Sequence, residues 1–440
     1  MSKKLSKNEI IELFKSSKIQ KDWSFEGFKP SETGKWTHSY HRYPAKFIPQ
    51  LVEKLIDEYI PNSVAHINDP FMGSGTTIAT AISRGFMASG TDINAIAYLM
   101  AKVKSTPIEP NYLESKINLL FSRLGFSDEL QIFASKVIEP LVHKNHIEKI
   151  NYWFNEDNKI KLGLILKAIY HEEDEIIRDF FLVAFSHILK KCSIWLQGST
   201  KPTRDLKKTP SKPFIELKRH LNKMKEGNYN FYKVVPEKTK MDINSYLKIE
   251  LGDARKQPLP DDCVDLVISS SPYVTSYEYA DLHQLSTIWL DYTDDLKEYR
   301  SKFIGTAYKN YNHIELKSEI AKSIVSQMEK KSKKVAKEIE TFFYDMQQVF
   351  NESFRILKPN GRCCYVIGNT KLRKIDILNA EAFAESIQYA GFTIEKIIVR
   401  EIPLKILPQK RDEKTGRFAS NENANSQAYP IEYIVIGKKE

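Results

Sequence analysis

The stretch from Ser63 to Asn94 limits the fold more than any other. Ala65-His-Ile-Asn-Asp69 reads as a strand, Pro70-Phe-Met-Gly-Ser-Gly-Thr-Thr77 as a glycine turn, Ile78 to Arg84 as a helix, and Phe86-Met-Ala-Ser-Gly-Thr-Asp92 as a second strand. That is one βαβ unit. Further β-branched runs follow at Ile249-Glu-Leu-Gly-Asp253, Val264-Asp-Leu-Val-Ile-Ser269, Arg362-Cys-Cys-Tyr-Val-Ile367, Thr393-Ile-Glu-Lys-Ile-Ile-Val399 and Glu432-Tyr-Ile-Val-Ile436. Helical text separates several of them, notably Glu340 to Leu357, stopping at Lys358-Pro-Asn-Gly361, and Ala380 to Ala390, stopping at Gly391. Alternation of this kind predicts an α/β fold built on a doubly wound, parallel sheet. The last two strands are joined by a long polar loop without a clear helix, which predicts a C-terminal antiparallel hairpin.

Between Tyr112 and Leu189 apolar residues recur at helical spacing, so a block of several helices interrupts the sheet. From Gln197 to Pro213 glycine, serine and prolines mark a loop. At 440 residues the chain has room for two or three domains of about 150 residues each, and its 42% hydrophobic and 28% charged composition excludes global disorder. The four cysteines, Cys192, Cys263, Cys363 and Cys364, show no C-x-x-C spacing, which predicts a reducing compartment and no metal site. Neither the polar N-terminus nor the short apolar run from Phe180 to Phe185 suits export or a membrane span.

Asp69-Pro-Phe-Met-Gly-Ser-Gly-Thr-Thr lies where a strand meets a helix, the place where open α/β sheets bind ligands. A nucleotide P-loop would need Gly-Lys-Ser/Thr, but Thr76 follows Gly75; a dinucleotide fingerprint would need glycine where Ile78 stands. What survives is a cofactor with an adenosine and no pyrophosphate, its ribose hydroxyls within reach of Asp92 at the end of the next strand. A tight turn in a non-binding α/β protein is the alternative.

This turn resembles the AdoMet-binding motif of the DNA amino-methyltransferases, and His41-Arg-Tyr-Pro-Ala-Lys-Phe47 resembles the segment that precedes it there. The likeness covers Trp36 to about Thr106. It implies a Rossmann-like, AdoMet-dependent methyltransferase sheet whose Asp69, Phe71, Gly73, Gly75 and Thr76 form the cofactor turn. Phe71, Gly73 and Gly75 would line the methionine and adenosine moieties, Asp92 would bind the ribose, and Lys46 with Phe47 would pack near the methionine end. Asp253 would face the adenine ring; Lys46 could equally be a surface lysine, and Asp253 a cap.

Val264-Asp-Leu-Val-Ile-Ser-Ser-Ser-Pro-Tyr273 places a second cluster at a strand end. It resembles the family pattern of Asp, Asn or Ser followed by Pro-Pro-Tyr or Phe, with Ser271 standing where proline is usual. The exocyclic amine of a base is a poor nucleophile because its lone pair is delocalised into the ring. Two acceptors that hold its two hydrogens bend the nitrogen toward tetrahedral geometry and aim it at the sulfonium methyl. Ser270 Oγ and the carbonyl of Ser271 are those acceptors in this reading, and Tyr273 after Pro272 offers a face for a flipped-out base. Tyr277, Glu278, Tyr279, Asp281, Gly368 and Asn369 are secondary candidates for the base pocket.

A formal charge of +10 favours a polyanionic partner. Lys190 to Lys240 holds fourteen Lys/Arg against four acids, interleaved with Trp195, Phe214, Tyr229, Phe231 and Tyr232, a nucleic-acid mixture. Lys302 to Lys337 is a second basic region, with Lys330-Lys-Ser-Lys-Lys-Val-Ala-Lys placed on a helix or on a solvated face. The expected layout is an AdoMet-binding half at 1–106, a helical and basic insertion for target recognition at 107–245, and a catalytic half at 246–440 with a further DNA-contacting insertion near 291–336. The resulting reading is a cytoplasmic, bacterial or archaeal methyltransferase acting on double-stranded DNA, associated with the nucleoid through that DNA. It is of restriction-modification type and served by a separate endonuclease. Ser270 favours cytosine N4. Adenine N6, an RNA base amino-methyltransferase and a non-catalytic nucleic-acid-binding module are the alternatives.

Overall fold

The computed structural model describes residues 4–43, 47–62, 64–125, 141–199, 202–274, 279–306, 311, 313–402, 410–411, 426–427 and 431–440. The strands are β1 (His66–Asp69), β2 (Met87–Asp92), β3 (Leu247–Leu251), β4 (Val264–Ser270), β5 (Leu357–Ile367), β6 (Thr370–Leu372), β7 (Ile375–Ile377), β8 (Thr393–Glu401), β9 (Lys410–Arg411), β10 (Ser426–Gln427) and β11 (Ile431–Lys438). Seven of them form one sheet in the order β3-β2-β1-β4-β5-β11-β8. The first four pairings are parallel; β11 lies antiparallel between β5 and β8. The predicted doubly wound sheet and its antiparallel C-terminal pair are therefore both present, with β11 pushed into the sheet beside β5.

Element ends follow local chemistry. The helix Lys333–Ile356 carries Ala336, Ile339, Phe342, Met346, Val349 and Phe350 on one buried stripe, and the Ser332 hydroxyl caps its start by accepting from the Val335 amide (3.4 Å). Lys330 to Ser332 is thus the break between this helix and Glu319–Glu329, not helix as expected. The helix gives way to β5 at Leu357, before Pro359, and the strand runs on through Lys358-Pro-Asn-Gly361, the expected turn. The helix Asn379–Ala390 ends at Gly391, whose φ of 115° is a left-handed cap.

Cores lie on both faces of the sheet. One gathers Phe342, Phe350, Phe383 and Val435 with Ile10 and Phe14 of the N-terminal helix Lys7–Ser16; the other gathers Leu55, Ile67, Ile78, Ile82 and Ile268. Between β2 and β3 stand the helices Pro110–Gly125, Lys144–Trp153, Glu156–Tyr170 and Glu175–Cys192, where the helical block was expected, and beyond that block the helix Pro213–Val234. They enclose a third core around Phe180, Phe181, Phe185, Trp195 and Leu221, shared with Ile288 and Trp289 from beyond the catalytic strand. Among the described residues no helix is long and apolar enough to cross a membrane.

Candidate active site

β1 ends at Asp69 and the chain turns through Gly73 (φ 49°) and Gly75 (φ 78°) into the helix Thr76–Ser83. Both glycines are left-handed, where a Cβ is strained. A Cβ on Gly75 would stand 2.6 Å from the Ala101 Cα, and one on Gly73 would stand 3.2 Å from the Tyr43 ring. Gly90, which sequence reading passed over, has the same office in β2: its Cβ would lie 2.7 Å from the Asp69 carbonyl oxygen.

Asp92 closes β2 and braces the turn. Its Oδ2 accepts from the Gly73 amide (2.9 Å) and its Oδ1 from the Asn94 amide (2.8 Å). Burial raises its carboxyl to about 6, and raises that of Asp69 to about 7. Asp69 Oδ1 accepts from the Phe71 amide (3.1 Å) and from the Ser269 hydroxyl (2.7 Å). That second bond joins the two motif-bearing strand ends. It is possible because β1 and β4 are parallel neighbours, with Ile67 opposite Leu266 and Asn68 opposite Val267.

Ser270 ends β4 half-buried, and its hydroxyl makes no hydrogen bond among the described residues. The Ser271 hydroxyl is buried and points to the Val366 carbonyl of β5 (3.5 Å). The half-buried Pro272 leads to Tyr273, whose hydroxyl donates to Glu432 Oε1 of β11 (3.0 Å). A Cβ on Gly368 would stand 3.2 Å from the Tyr273 ring, so the glycine lets that ring lie against β5. Gly368 does border the site; Asn369 instead caps the helix Asn379–Ala390, accepting from the Ala380 amide (2.9 Å). Glu432 was missed because only the antiparallel insertion of β11 brings it here.

The remaining candidates divide. Phe47 is buried in the core that also holds Met72, Phe71 is half-buried, and Thr76 is buried in the first turn of its helix. Asp253 lies beyond β3, which ends two residues earlier than expected; the Gly252 amide donates to the Asp92 carbonyl (3.0 Å) and holds the loop alongside. Its carboxylate accepts from Arg255 Nε (2.9 Å), and Arg255 also reaches buried Asp345 (2.6 Å). Asp281 is held by Arg300 Nε (2.9 Å). Lys46, Tyr277 and Glu278 lie outside the described residues, as does the side chain of Tyr279.

A link that sequence reading did not find runs beside the turn. Asn94 Oδ1 accepts from the Ile96 amide (3.1 Å) and the Tyr299 hydroxyl (3.0 Å), so its Nδ2 faces His283 Nδ1 (3.2 Å) and the ring must accept. Burial holds His283 at about 4, in its neutral form. The ring stacks on Tyr43 (centroids 5.2 Å apart), which abuts Gly73. Asp92, Gly73, Tyr43, His283 and Asn94 thus form a closed circuit, and the segment after the Ser-Ser-Pro-Tyr turn is tied to the cofactor turn. A lone histidine between Leu282 and Gln284 gave no signal of this.

The glycine turn fits a nucleoside cofactor. Its glycines leave a cradle that any Cβ would narrow, Ser74 Oγ is buried with no hydrogen-bond partner among the described residues, and the Asp92 carboxylate accepts the Gly73 and Asn94 amides at the rim. The family model for DNA methylase matches residues 2–102. Over 425 residues the chain is 29% identical to the type II methyltransferase M.MvaI of Kocuria varians, covering 90% of each chain. Both matches support the N4/N6 DNA amino-methyltransferases as the family this chain resembles. Two further type II methyltransferases are similar to this chain. M.BsoBI of Geobacillus stearothermophilus is 24% identical over 76% of this chain and 74% of its own, and M.AvaI of Anabaena variabilis is 22% identical over 86% and 82%. The geometry of the glycine turn and these likenesses support AdoMet as the methyl donor.

Proposed function

We propose that the chain methylates cytosine N4 within a specific sequence of double-stranded DNA. The observation that carries this reading is the Asp69–Ser269 hydrogen bond, which puts the cofactor turn and the Ser-Ser-Pro-Tyr turn at one edge of the sheet. Bound AdoMet supplies an electrophilic methyl group on its sulfonium. In this reading Gly73, Gly75, Thr76, Phe71 and Phe47 shape its cradle, Asp69 holds the turn, and Asp92 takes the ribose hydroxyls. Lys46 is assigned to the methionine end. Asp253 is assigned to the adenine edge, with Arg255 fixing its carboxylate.

Ser270 Oγ has no hydrogen-bond partner among the described residues, and in this reading it accepts one amino hydrogen of the target base. The Ser271 carbonyl accepts the other, and Tyr273, tethered through Glu432 and seated on Gly368, stacks on the flipped ring. Held between two acceptors, the amine turns its lone pair outward, gains the methyl group and releases one proton to water. A serine at the first position of the turn, in place of an aspartate, favours cytosine over adenine. The type II relatives support a restriction-modification setting with a separate endonuclease.

Expression in a host lacking DNA methylation, followed by nucleoside mass spectrometry, tests the reading. N4-methylcytosine is the expected product. N6-methyladenine would overturn the base choice, and neither product, with AdoMet still bound, would overturn the DNA substrate.

A further inference from the structure

We propose that Arg42, Lys190 and Lys208 form a phosphate-binding site that grips the backbone of duplex DNA beside the cofactor turn. The choice of DNA rests on the reading of the chain as a DNA methyltransferase. The site itself rests on how the structure distributes charge within the basic region. Several of its cations are spent internally: Lys191 (3.0 Å) and Arg219 pair with Glu216, Lys225 with Glu114 (2.6 Å) and Lys240 with Glu237 (2.7 Å). Of the interleaved aromatics, Trp195 and Phe231 are buried, Phe214 packs on the insertion core, and Tyr229 and Tyr232 lie under Lys233 and Lys240. Of the cations outside these pairs, Lys190 and Lys208 lie with Arg42 near the cofactor turn.

Among the described residues Lys190 and Lys208 have no carboxylate in hydrogen-bond contact. Lys190 Nζ donates to the Ser199 carbonyl (2.7 Å), and Lys208 Nζ to the Lys190 (2.8 Å) and Trp195 (2.7 Å) carbonyls. An ammonium has three donors, so two remain on Lys190 and one on Lys208. Arg42 is exposed, and among the described residues its guanidinium makes no ion pair or hydrogen bond. Its backbone is fixed: His41 Nδ1 donates to the Arg42 carbonyl (2.9 Å), while His41 Nε2 meets the Ser186 hydroxyl (3.0 Å) one turn before Lys190. The next residue, Tyr43, rests on Gly73. The cluster is thus set between the cofactor turn and the end of the helix Glu175–Cys192.

The charges feel one another. Burial, then Arg42 and Lys208, bring the Lys190 amine down to about 8, and His187 on the same helix is held neutral by burial and by its basic neighbours. The acid near Lys208 is Asp205, whose Oδ1 accepts from the Lys207 amide (3.1 Å). Capping of the helix end accounts for Lys208, since cations there meet the free carbonyls. It does not account for Arg42, which a phosphodiester would partner while relieving the repulsion.

The test is binding of the full chain to a short random-sequence duplex across a salt series. Arg42→Gln and Lys190→Gln should each flatten the slope of log affinity against log salt by about 0.9, equally on unrelated sequences. AdoMet binding and melting temperature should hold, and Lys225→Gln, at a paired site, should leave the slope unchanged. Arg42→Glu, at an exposed position, gives the same readout if the Lys190 variant folds poorly. An unchanged slope in Arg42→Glu, an equal change in Lys225→Gln, or preferential binding of structured RNA would overturn the site. If the wild type methylates DNA while those slopes stay put, the site alone falls. A wild type that neither methylates DNA nor binds duplex removes both readings.

Discussion

In the proposed reaction Ser270 is the residue on which the chemistry would depend most directly. Its side chain is half-buried, without a hydrogen-bond partner among the described residues, one residue beyond the Ser269 that binds Asp69. Ser270→Ala removes an acceptor and no packing, so AdoMet binding should persist while turnover drops about a hundredfold. Calorimetry with single-turnover kinetics measures both, and a wild-type rate would end the catalytic assignment. Gly75 sits at the opposite extreme, because its role is steric. A Cβ there meets the Ala101 backbone at 2.6 Å in a left-handed conformation. Gly75→Ala should cost about 3 kcal/mol and weaken AdoMet binding with it; a denaturant midpoint equal to the wild type's would refute the clash.

At the scale of elements, two connections hold the site together. β1 and β4 pair directly, and the segment after the catalytic turn comes back to the cofactor turn through His283. His283→Asn keeps an acceptor for Asn94 and loses the stack on Tyr43; His283→Phe keeps the stack and loses the acceptor. Each should raise the KM for AdoMet severalfold with a smaller change in kcat, the Phe variant more so, since it leaves the buried Asn94 amide unpaired. Steady-state kinetics decides this: an unmoved KM in both variants would leave the circuit without a functional role. The motifs and the strands bearing them were legible in the sequence, because period-2 and glycine signals are local. The partners of those motifs were not. Glu432, Gly90 and His283 are set by which strands and helices become neighbours, and β11 reaches Tyr273 only by crossing back into the sheet between β5 and β8.

Taken over the whole molecule, buried titratable groups set a pH response. Burial lowers His41 to about 3 and His220 and His283 to about 4, and depresses His66 and His187 as well. The unfolded chain binds protons at these groups near pH 6.5, the folded chain does not, so their stabilisation is complete above that pH and is lost on acidification toward 4. Asp69 and Asp92 act oppositely: held at about 7 and about 6, they cost stability as pH rises from about 4 through those values. Burial also raises Asp179, Glu338, Glu340 and Glu381, but hydrogen bonds and cations lower Asp22, Asp174, Glu175 and Glu216 and offset them, so the five histidines prevail and melting temperature should fall between pH 6.5 and pH 4. His283→Asn should shrink that fall by removing a group worth on the order of 3 kcal/mol. A flat or rising melting temperature on acidification would contradict the balance.

The sequence by itself determined the alternation of strands and helices, the glycine turn, the Ser-Ser-Pro-Tyr turn and their chemistry, since each is written in residues close together in the chain. It also located a basic excess in Lys190 to Lys240 without showing which charges were already spent. Only the tertiary structure decided that, by placing Glu216, Glu114 and Glu237 against some cations while leaving Lys190 and Lys208 on backbone carbonyls beside Arg42. The reason is range: propensity and periodicity act over a few residues, whereas an ion pair or a strand pairing depends on where distant segments meet.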